Sequence, residues 1–303
     1  ENWPASAPGW SADGRALAVV GFPVSHSLSP AMHNAALAQL AVTSPQKKFS
    51  HWHYFKFEIK PERLGDALAL FFEKGFCGLN LTVPHKTVAM QFIDSALPLV
   101  EDIGAANTLK RTATRWQGNN TDGHGLAAAL QADLHVTLSD ANVILLGAGG
   151  AARAAAVQCL LDRCRSLWIG NRTQSTLGKL IADLKKTKAC SPATDLQGFD
   201  PKDDHSLSRL PAQSIVINAT SLGLKLEDDS PLDLAKISRP SHVFDMIYRP
   251  AQTALLRQAA TLGIPNANGL SMLVHQGAAS LEIWTGEKAP IATMDQAVRR
   301  AIL

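Results

Sequence analysis

The run Val143-Ile144-Leu145-Leu146-Gly147-Ala148-Gly149-Gly150-Ala151-Ala152-Arg153 constrains this chain more than any other stretch. Four apolar residues read as a buried strand, and an alanine-rich helix opens after the briefest of turns. Gly147 permits that turn, and Gly149 lets backbone N–H groups close on a pyrophosphate. Ala152 takes the place of the third small residue in a G-x-G-x-x-G/A fingerprint, where helix packs tightly on strand. The helix N-terminus then offers partial positive charge to phosphate. A plain Gly-rich turn is the competing reading; the strand before and the helix after favour a dinucleotide site, with Gly147 to Ala151 along the phosphates.

The next apolar run, Leu167 to Gly170, ends in Asn171-Arg172-Thr173. An NAD site carries an Asp or Glu about 20 residues beyond the first glycine to hold the ribose 2′-hydroxyl. None stands here. Arg172 can instead pair with a 2′-phosphate and stack on adenine, against the alternative of a solvated loop arginine. The expected cofactor is NADP.

Short apolar runs alternate with helical patterns along the whole chain, the mark of βαβ units and a mainly parallel sheet. At about 150 residues per domain, 303 residues predict two α/β domains. Strands are expected at 17–21, 53–59 and 76–82, with helices at 30–40, 61–74 and 84–94. A second set follows with a helix from Gly123, a strand at 142–146, a helix at 151–164 and strands at 167–170, 214–218 and 242–245. Residues 186–210 are polar and are expected to form surface loops around one short element. Gly269 to Trp284 reads as helical and could pack on either domain.

A hydrophobic fraction of 46% excludes disorder and collagen-like repeats. The net charge of +3 makes no basic stripe, so nucleic acid is not an expected partner. No 18-residue apolar run is present, and Glu1 to Gly14 reads as a trimmed end rather than a signal peptide. Four cysteines without a C-x-x-C pair read as free thiols in a reducing, cytoplasmic compartment. No His, Cys and carboxylate set has metal spacing.

Chemistry is carried by the first half. Ser29 before Pro30 reads as an N-cap with proline at the first helical position. That cap leaves Ser27 unexplained, and two hydroxyls facing a helix N-terminus also suit a small carboxylate. Asn80-Leu81-Thr82-Val83-Pro84-His85-Lys86 enters a helix at Pro84, so Lys86 falls in the first turn, where the helix dipole disfavours a cation by about a few tenths of a kcal/mol. Asp122 at another loop-to-helix junction is either an N-cap or a partner for that lysine. A Lys–Asp pair can manage the proton that ketone–alcohol interconversion needs beside a nicotinamide hydride.

Taken together, the motifs resemble the shikimate dehydrogenase family with its quinate/shikimate relatives. The matching pieces are S-H-S-L-S-P at 25–30, N-L-T-V-P-H-K at 80–86, G-A-A-N-T at 104–108, G-N-N-T-D-G at 118–123 and G-A-G-G-A-A-R at 147–153. N-R-T at 171–173, I-N-A-T-S at 217–221, D-M-I-Y at 245–248 and N-G-L-S-M-L-V-H-Q at 268–276 complete them in family order. The resemblance implies reversible NADPH-dependent reduction of 3-dehydroshikimate to shikimate, a step of aromatic amino-acid biosynthesis. It implies a substrate domain over 1–121 completed by helices in 269–303, a Rossmann NADP domain over 122–268, and a cleft between them. Lys86 would be the acid/base and Asp122 its partner. Ser27, Ser29 and Tyr248 would hold the carboxylate, and Thr82, Asn107, Asp122 and Gln276 the ring hydroxyls. Gly147, Ala148, Gly149, Gly150 and Ala151 would hold pyrophosphate, Asn171, Arg172 and Thr173 the adenosine end, and Met246 with Gly269 the nicotinamide.

The chain departs from the pattern at Thr176, where NADP-preferring members often place a second basic residue, so Arg172 would hold the 2′-phosphate largely alone. His85 neighbours Lys86 in sequence but not on a helix face, and takes no role. His26, His33 and His275 read as hydrogen-bonded surface or core residues. Two other readings stand beside the first: a relative that also oxidises quinate and uses NAD, and a non-catalytic ligand sensor. A monomer or a homodimer fits the sequence equally.

Overall fold

The structure is a computed structural model that describes residues 15–45, 48–93 and 95–302. The chain divides into two compact units: one holds the chain up to Thr121 and again from Val274, and the other is Asp122–Leu273. Among the described residues no helix is long and apolar enough to cross a membrane.

The first unit runs β1 (Arg15–Gly21), α1 (Ser29–Thr43), β2 (Trp52–Glu58), α2 (Leu64–Glu73), β3 (Gly78–Leu81), α3 (His85–Val88), β4 (Ser95–Ala96), α4 (Pro98–Ile103), β5 (Thr108–Arg111) and β6 (Trp116–Asn119). Its sheet has the order β2-β1-β3-β5-β6-β4. β1 lies parallel to β2 and β3, whereas β5 runs antiparallel to β3 and β6. β1 is apolar from Ala16 to Val20 because both sheet faces are covered, and β3 is buried throughout with Asn80 as its one polar residue. On one face Leu64, Leu68 and Phe71 of α2 meet Phe76 and Leu79. The β5–β6 hairpin has no such signature. Its strands, T-L-K-R and W-Q-G-N, are short and half polar, and pattern alone does not expose them.

The expected helix over 84–94 is shorter. α3 ends at Val88 and a 3₁₀ turn follows over Ala89–Gln91. The Lys86 carbonyl accepts the Ala106 N–H at 2.8 Å, so it is drawn into a tertiary contact that a continued α-helix would not need.

The second unit runs α5 (Asp122–Leu134), β7 (Asn142–Leu146), α6 (Gly150–Leu161), β8 (Ser166–Gly170), α7 (Gln174–Leu184), β9 (Asp195–Phe199), α8 (Asp204–Ser208), β10 (Ile215–Asn218), β11 (His242–Asp245), α9 (Ala254–Thr261) and β12 (Asn266–Asn268). The stretch 186–210 thus holds two elements, β9 and α8, where one was expected. All six strands are parallel in the order β12-β11-β10-β7-β8-β9. That is the doubly wound dinucleotide-binding order, with its switch point between β7 and β10. The chain is therefore α/β throughout, as expected.

The last helices are α10 (Leu270–Thr285) and α11 (Ile291–Ile302). Trp284, near the end of α10, lies directly over β3: a Cβ built on Gly78 would stand 2.1 Å from its Nε1. That Nε1 donates to the Leu109 carbonyl at 2.9 Å. Gly78 thus makes room for the indole. Gly78→Ala forces the ring or the strand to move and is expected to cost about 1–3 kcal/mol, read as a lower urea midpoint at unchanged slope.

Candidate active site

Sheet topology gathers the predicted residues of the first unit. β1 and β3 are parallel, so the loops after Gly21 and Leu81 leave at one edge. β5 starts at that same edge and β6 ends there, because each is antiparallel to its neighbour. The edge therefore collects Ser27, Thr82, Lys86, Asn107 and Thr121 from four separate stretches of sequence.

What holds them is a buried amide. Asn80, in the middle of β3, is 6% exposed. Its Oδ1 accepts from the Tyr54 hydroxyl at 2.7 Å. Its Nδ2 divides two hydrogens among the Asn107 carbonyl, Thr108 Oγ1 and Ser280 Oγ, at 3.1–3.2 Å. Asn107 is fixed in turn. Its Oδ1 accepts from the Thr121 N–H and Thr108 Oγ1, both at 2.9 Å. Its Nδ2 reaches Thr121 Oγ1 at 2.9 Å and Gln276 Oε1 at 3.3 Å. Asn107 and Gln276, both expected at the substrate, are thus in contact within this unit.

Ser29 is not the N-cap. α1 begins at Ser29 itself, Leu28 precedes it as the cap, and Ser27 Oγ accepts the Ser29 N–H at 3.3 Å. Ser27, the hydroxyl that capping left unexplained, makes the local turn contact. Ser29 is buried and Ser27 half-buried. Lys86 sits in the first turn of α3, half-buried. Its neighbour His85 is fully buried with Nε2 2.8 Å from the Ile59 carbonyl. Burial pushes its pKa down and that bond opposes the shift. The ring anchors the start of the helix that carries the lysine.

In the second unit Gly147 has φ +114°, and a Cβ there would lie 3.0 Å from the Ala219 carbonyl. Gly149 caps α6 with no side-chain hydrogen bond, and no acidic residue occupies the first turn. The space where its side chain would stand is open. The N–H groups of Gly150 and Ala151 thus face a cradle without a side-chain acceptor, which fits a dinucleotide pyrophosphate. Asn171, Arg172 and Thr173 follow β8; Asn171 Nδ2 donates to the Thr173 carbonyl at 2.9 Å, and Arg172 is exposed.

Asp245 ends β11 fully buried. It accepts from Thr253 Oγ1 at 2.7 Å and from Asn218 Nδ2 and the Ile247 N–H at 3.0 Å. Burial pushes its pKa up, against those donors. The carboxyl ties the ends of β10 and β11 together and sets the backbone of Met246. A Cβ on Gly269 would stand 2.0 Å from the Met246 carbonyl, so only glycine fits there. Tyr248 follows, half-buried, its phenol pushed up by burial and pulled back by Arg249. Asp122 is buried and opens α5 in this unit. Among the described residues no His, Cys, Asp or Glu group is arranged to hold a metal ion.

Residues 19–109 match the family model of the shikimate dehydrogenase substrate binding domain, and residues 269–299 that of the Shikimate 5′-dehydrogenase C-terminal domain. A Symbiobacterium thermophilum protein named shikimate dehydrogenase (NADP(+)) is 37% identical over 95% of each chain. The chain belongs to the shikimate dehydrogenase family. Among solved family members, the Thermus thermophilus shikimate 5-dehydrogenase in complex with NADP(H) and shikimate superposes with a TM-score of 0.79 at 32% identity, covering 95% of this chain and 99% of that one. The Listeria monocytogenes shikimate 5-dehydrogenase in complex with shikimate and NAD gives 0.84 at 30%, covering 96% and 98%.

The family motifs contain Asn80 and Asp245, but reading their residues assigned them nothing. The available signal was a polar residue inside an apolar strand, G-L-N-L and H-V-F-D. His33 was expected to be hydrogen-bonded; it is fully buried, its ring stacked on Tyr54 at 4.2 Å, and neither nitrogen has a hydrogen-bond partner among the described residues. Burial pushes its pKa down to about 3, only partly offset by nearby Asn80. The unfolded chain therefore binds a proton from about pH 6.5 that the folded chain refuses until about pH 3. Stability is expected to fall as pH drops through that window, by at most about 1.4 kcal/mol per unit from this group. Denaturant titrations of His33→Leu should show a shallower pH slope there.

Proposed function

We propose that this chain reversibly reduces 3-dehydroshikimate to shikimate with NADPH, as a cytoplasmic enzyme of the shikimate pathway acting as a monomer or homodimer without nucleic-acid partners. Residues 1–121 with 269–303 serve as the substrate domain and 122–268 as the NADP domain. The observation that carries the reading is the convergence of Ser27, Thr82, Lys86 and Asn107 at one sheet edge, with Gln276 bonded to Asn107.

The nicotinamide supplies the hydride when bound. Lys86 holds the proton that reaches the carbonyl oxygen and regains one from solvent, with Asp122 as its partner. Ser27, Ser29 and Tyr248 orient the carboxylate, which fixes the face presented for reduction. Thr82, Asn107, Asp122 and Gln276 hold the ring hydroxyls, and Asn107 does so from a preset rotamer because its own amide is already bonded on both sides. Gly147 to Ala151 hold the pyrophosphate, Asn171 to Thr173 the adenosine end, and Met246 and Gly269 border the nicotinamide.

Lys86→Ala is expected to lower turnover about 10²-fold or more while leaving NADP affinity nearly unchanged. Intact turnover would remove the assigned role. Arg172→Ala should weaken NADP far more than NAD, because NAD lacks the 2′-phosphate that pairs with the guanidinium. Equal losses for both cofactors would end the case for NADP preference. Following the reduced-nicotinamide absorbance with shikimate or quinate and NADP or NAD separates the readings. Dominance of shikimate with NADP supports this one. Comparable quinate turnover with NAD points to the quinate relative, and silence in all pairings to a sensor.

A further inference from the structure

At the opposite edge of the first unit's sheet, where β1, β2 and β3 begin and β5 ends, a cavity of about 610 Å³ opens. Arg15, Lys48, His51, Lys110 and Arg111 line it, and among the described residues no Asp or Glu does. Its apolar wall includes Trp52 and Trp284. The sheet does not need the side chains of Arg15, Lys48, Lys110 and Arg111 for its own hydrogen bonding. The Arg15 N–H donates to the His51 carbonyl and the Arg111 N–H to the Cys77 carbonyl, both at 3.0 Å, through backbone alone. Like charges converging in one cavity repel unless an anion joins them.

The cations are not equally available. Lys48 is engaged: its Nζ is 3.3 Å from Glu287 and 5.0 Å from the centre of the Phe49 ring. Arg111 is different. Its guanidinium lies 4.3 Å from the Phe72 ring, and its buried Nε has no hydrogen-bond acceptor among the described residues.

We propose that this cavity is a second ligand site, for a phosphomonoester that carries a planar apolar group. Arg15, Lys110 and Arg111 meet the phosphate, and Trp52 and Trp284 meet the planar part. Three cations suit a group that bears close to two negative charges at neutral pH better than a single carboxylate. Two guanidinium forks match its tetrahedral oxygens. The volume falls within the usual range for small-molecule pockets. None of these residues belongs to the edge assigned to the dehydrogenase reaction, so the two sites do not compete for a side chain.

Phenyl phosphate is the probe, titrated calorimetrically and by tryptophan fluorescence into the full chain saturated with NADP. Saturation fills the phosphate cradle at α6. One equivalent is expected to bind, more tightly than inorganic phosphate or benzoate. Lys110→Gln and Arg15→Gln should each weaken it at least about tenfold, and Arg111→Gln at least as much, with dehydrogenase turnover unchanged. Arg111 also packs on Phe72, so the Arg15 and Lys110 variants decide the matter if Arg111→Gln fails to fold. Absence of binding, or undiminished binding in Arg15→Gln and Lys110→Gln, would overturn the site. Equal affinity for benzoate or inorganic phosphate would overturn its ligand class.

Discussion

One buried amide organises the first unit. Asn80 stands in β3 with apolar Leu79 and Leu81 on either side, and its side chain is wholly engaged by protein. A polar group in such a position costs stability unless every bond is made, so its partners have little freedom to wander. Those partners reach the Asn107 carbonyl and, through the Asn107 side chain, Thr121 and Gln276. The rigidity of the candidate substrate edge thus originates in the core beneath it. Tyr54, His33 and Trp284 seal the network in an aromatic cluster, with the His33 imidazole kept neutral by its burial.

The second unit reaches a comparable result by different means. Its cradle is almost all backbone, shaped by glycine at Gly147 and by an open N-terminus at α6. Side chains enter only as supports, chiefly Asp245 and Asn218, which bond across paired β10 and β11. The division suits the two ligands in view. A dinucleotide offers phosphates that any well-aimed N–H can read, whereas a small ring with several hydroxyls needs particular side chains.

How much was legible follows from this division. The parallel sheet of the second unit announced itself because its strands are apolar runs with a glycine signature between β7 and α6, and local sequence encodes that geometry directly. The β5–β6 hairpin, the early end of α3 and β9 did not, since each is decided by contacts with distant chain: the Lys86 carbonyl by Ala106, β9 by its ladder to β8. The site residues near the family motifs were visible as types and positions. Their supports were not. Ser280 is a serine in a helix, and nothing local says that it meets Asn80 from 200 residues away. The Ser29 cap was misread because Ser-Pro is a strong local signal, yet the helix starts one residue earlier and Ser27 makes the turn contact.

The discontinuity of the first unit bears on the order in which the molecule can assemble on the ribosome. Asp122–Leu273 is contiguous and has all its strands before the last helices emerge. The first unit, although synthesised earlier, must wait for the end of the chain: Ser280 completes the Asn80 amide and Trp284 fills the space over Gly78. Without that stretch its sheet carries an uncompleted polar centre at Asn80 and an apolar hollow over Gly78. The first unit thus depends on contacts between segments about 200 residues apart, whereas the second is built from one continuous stretch.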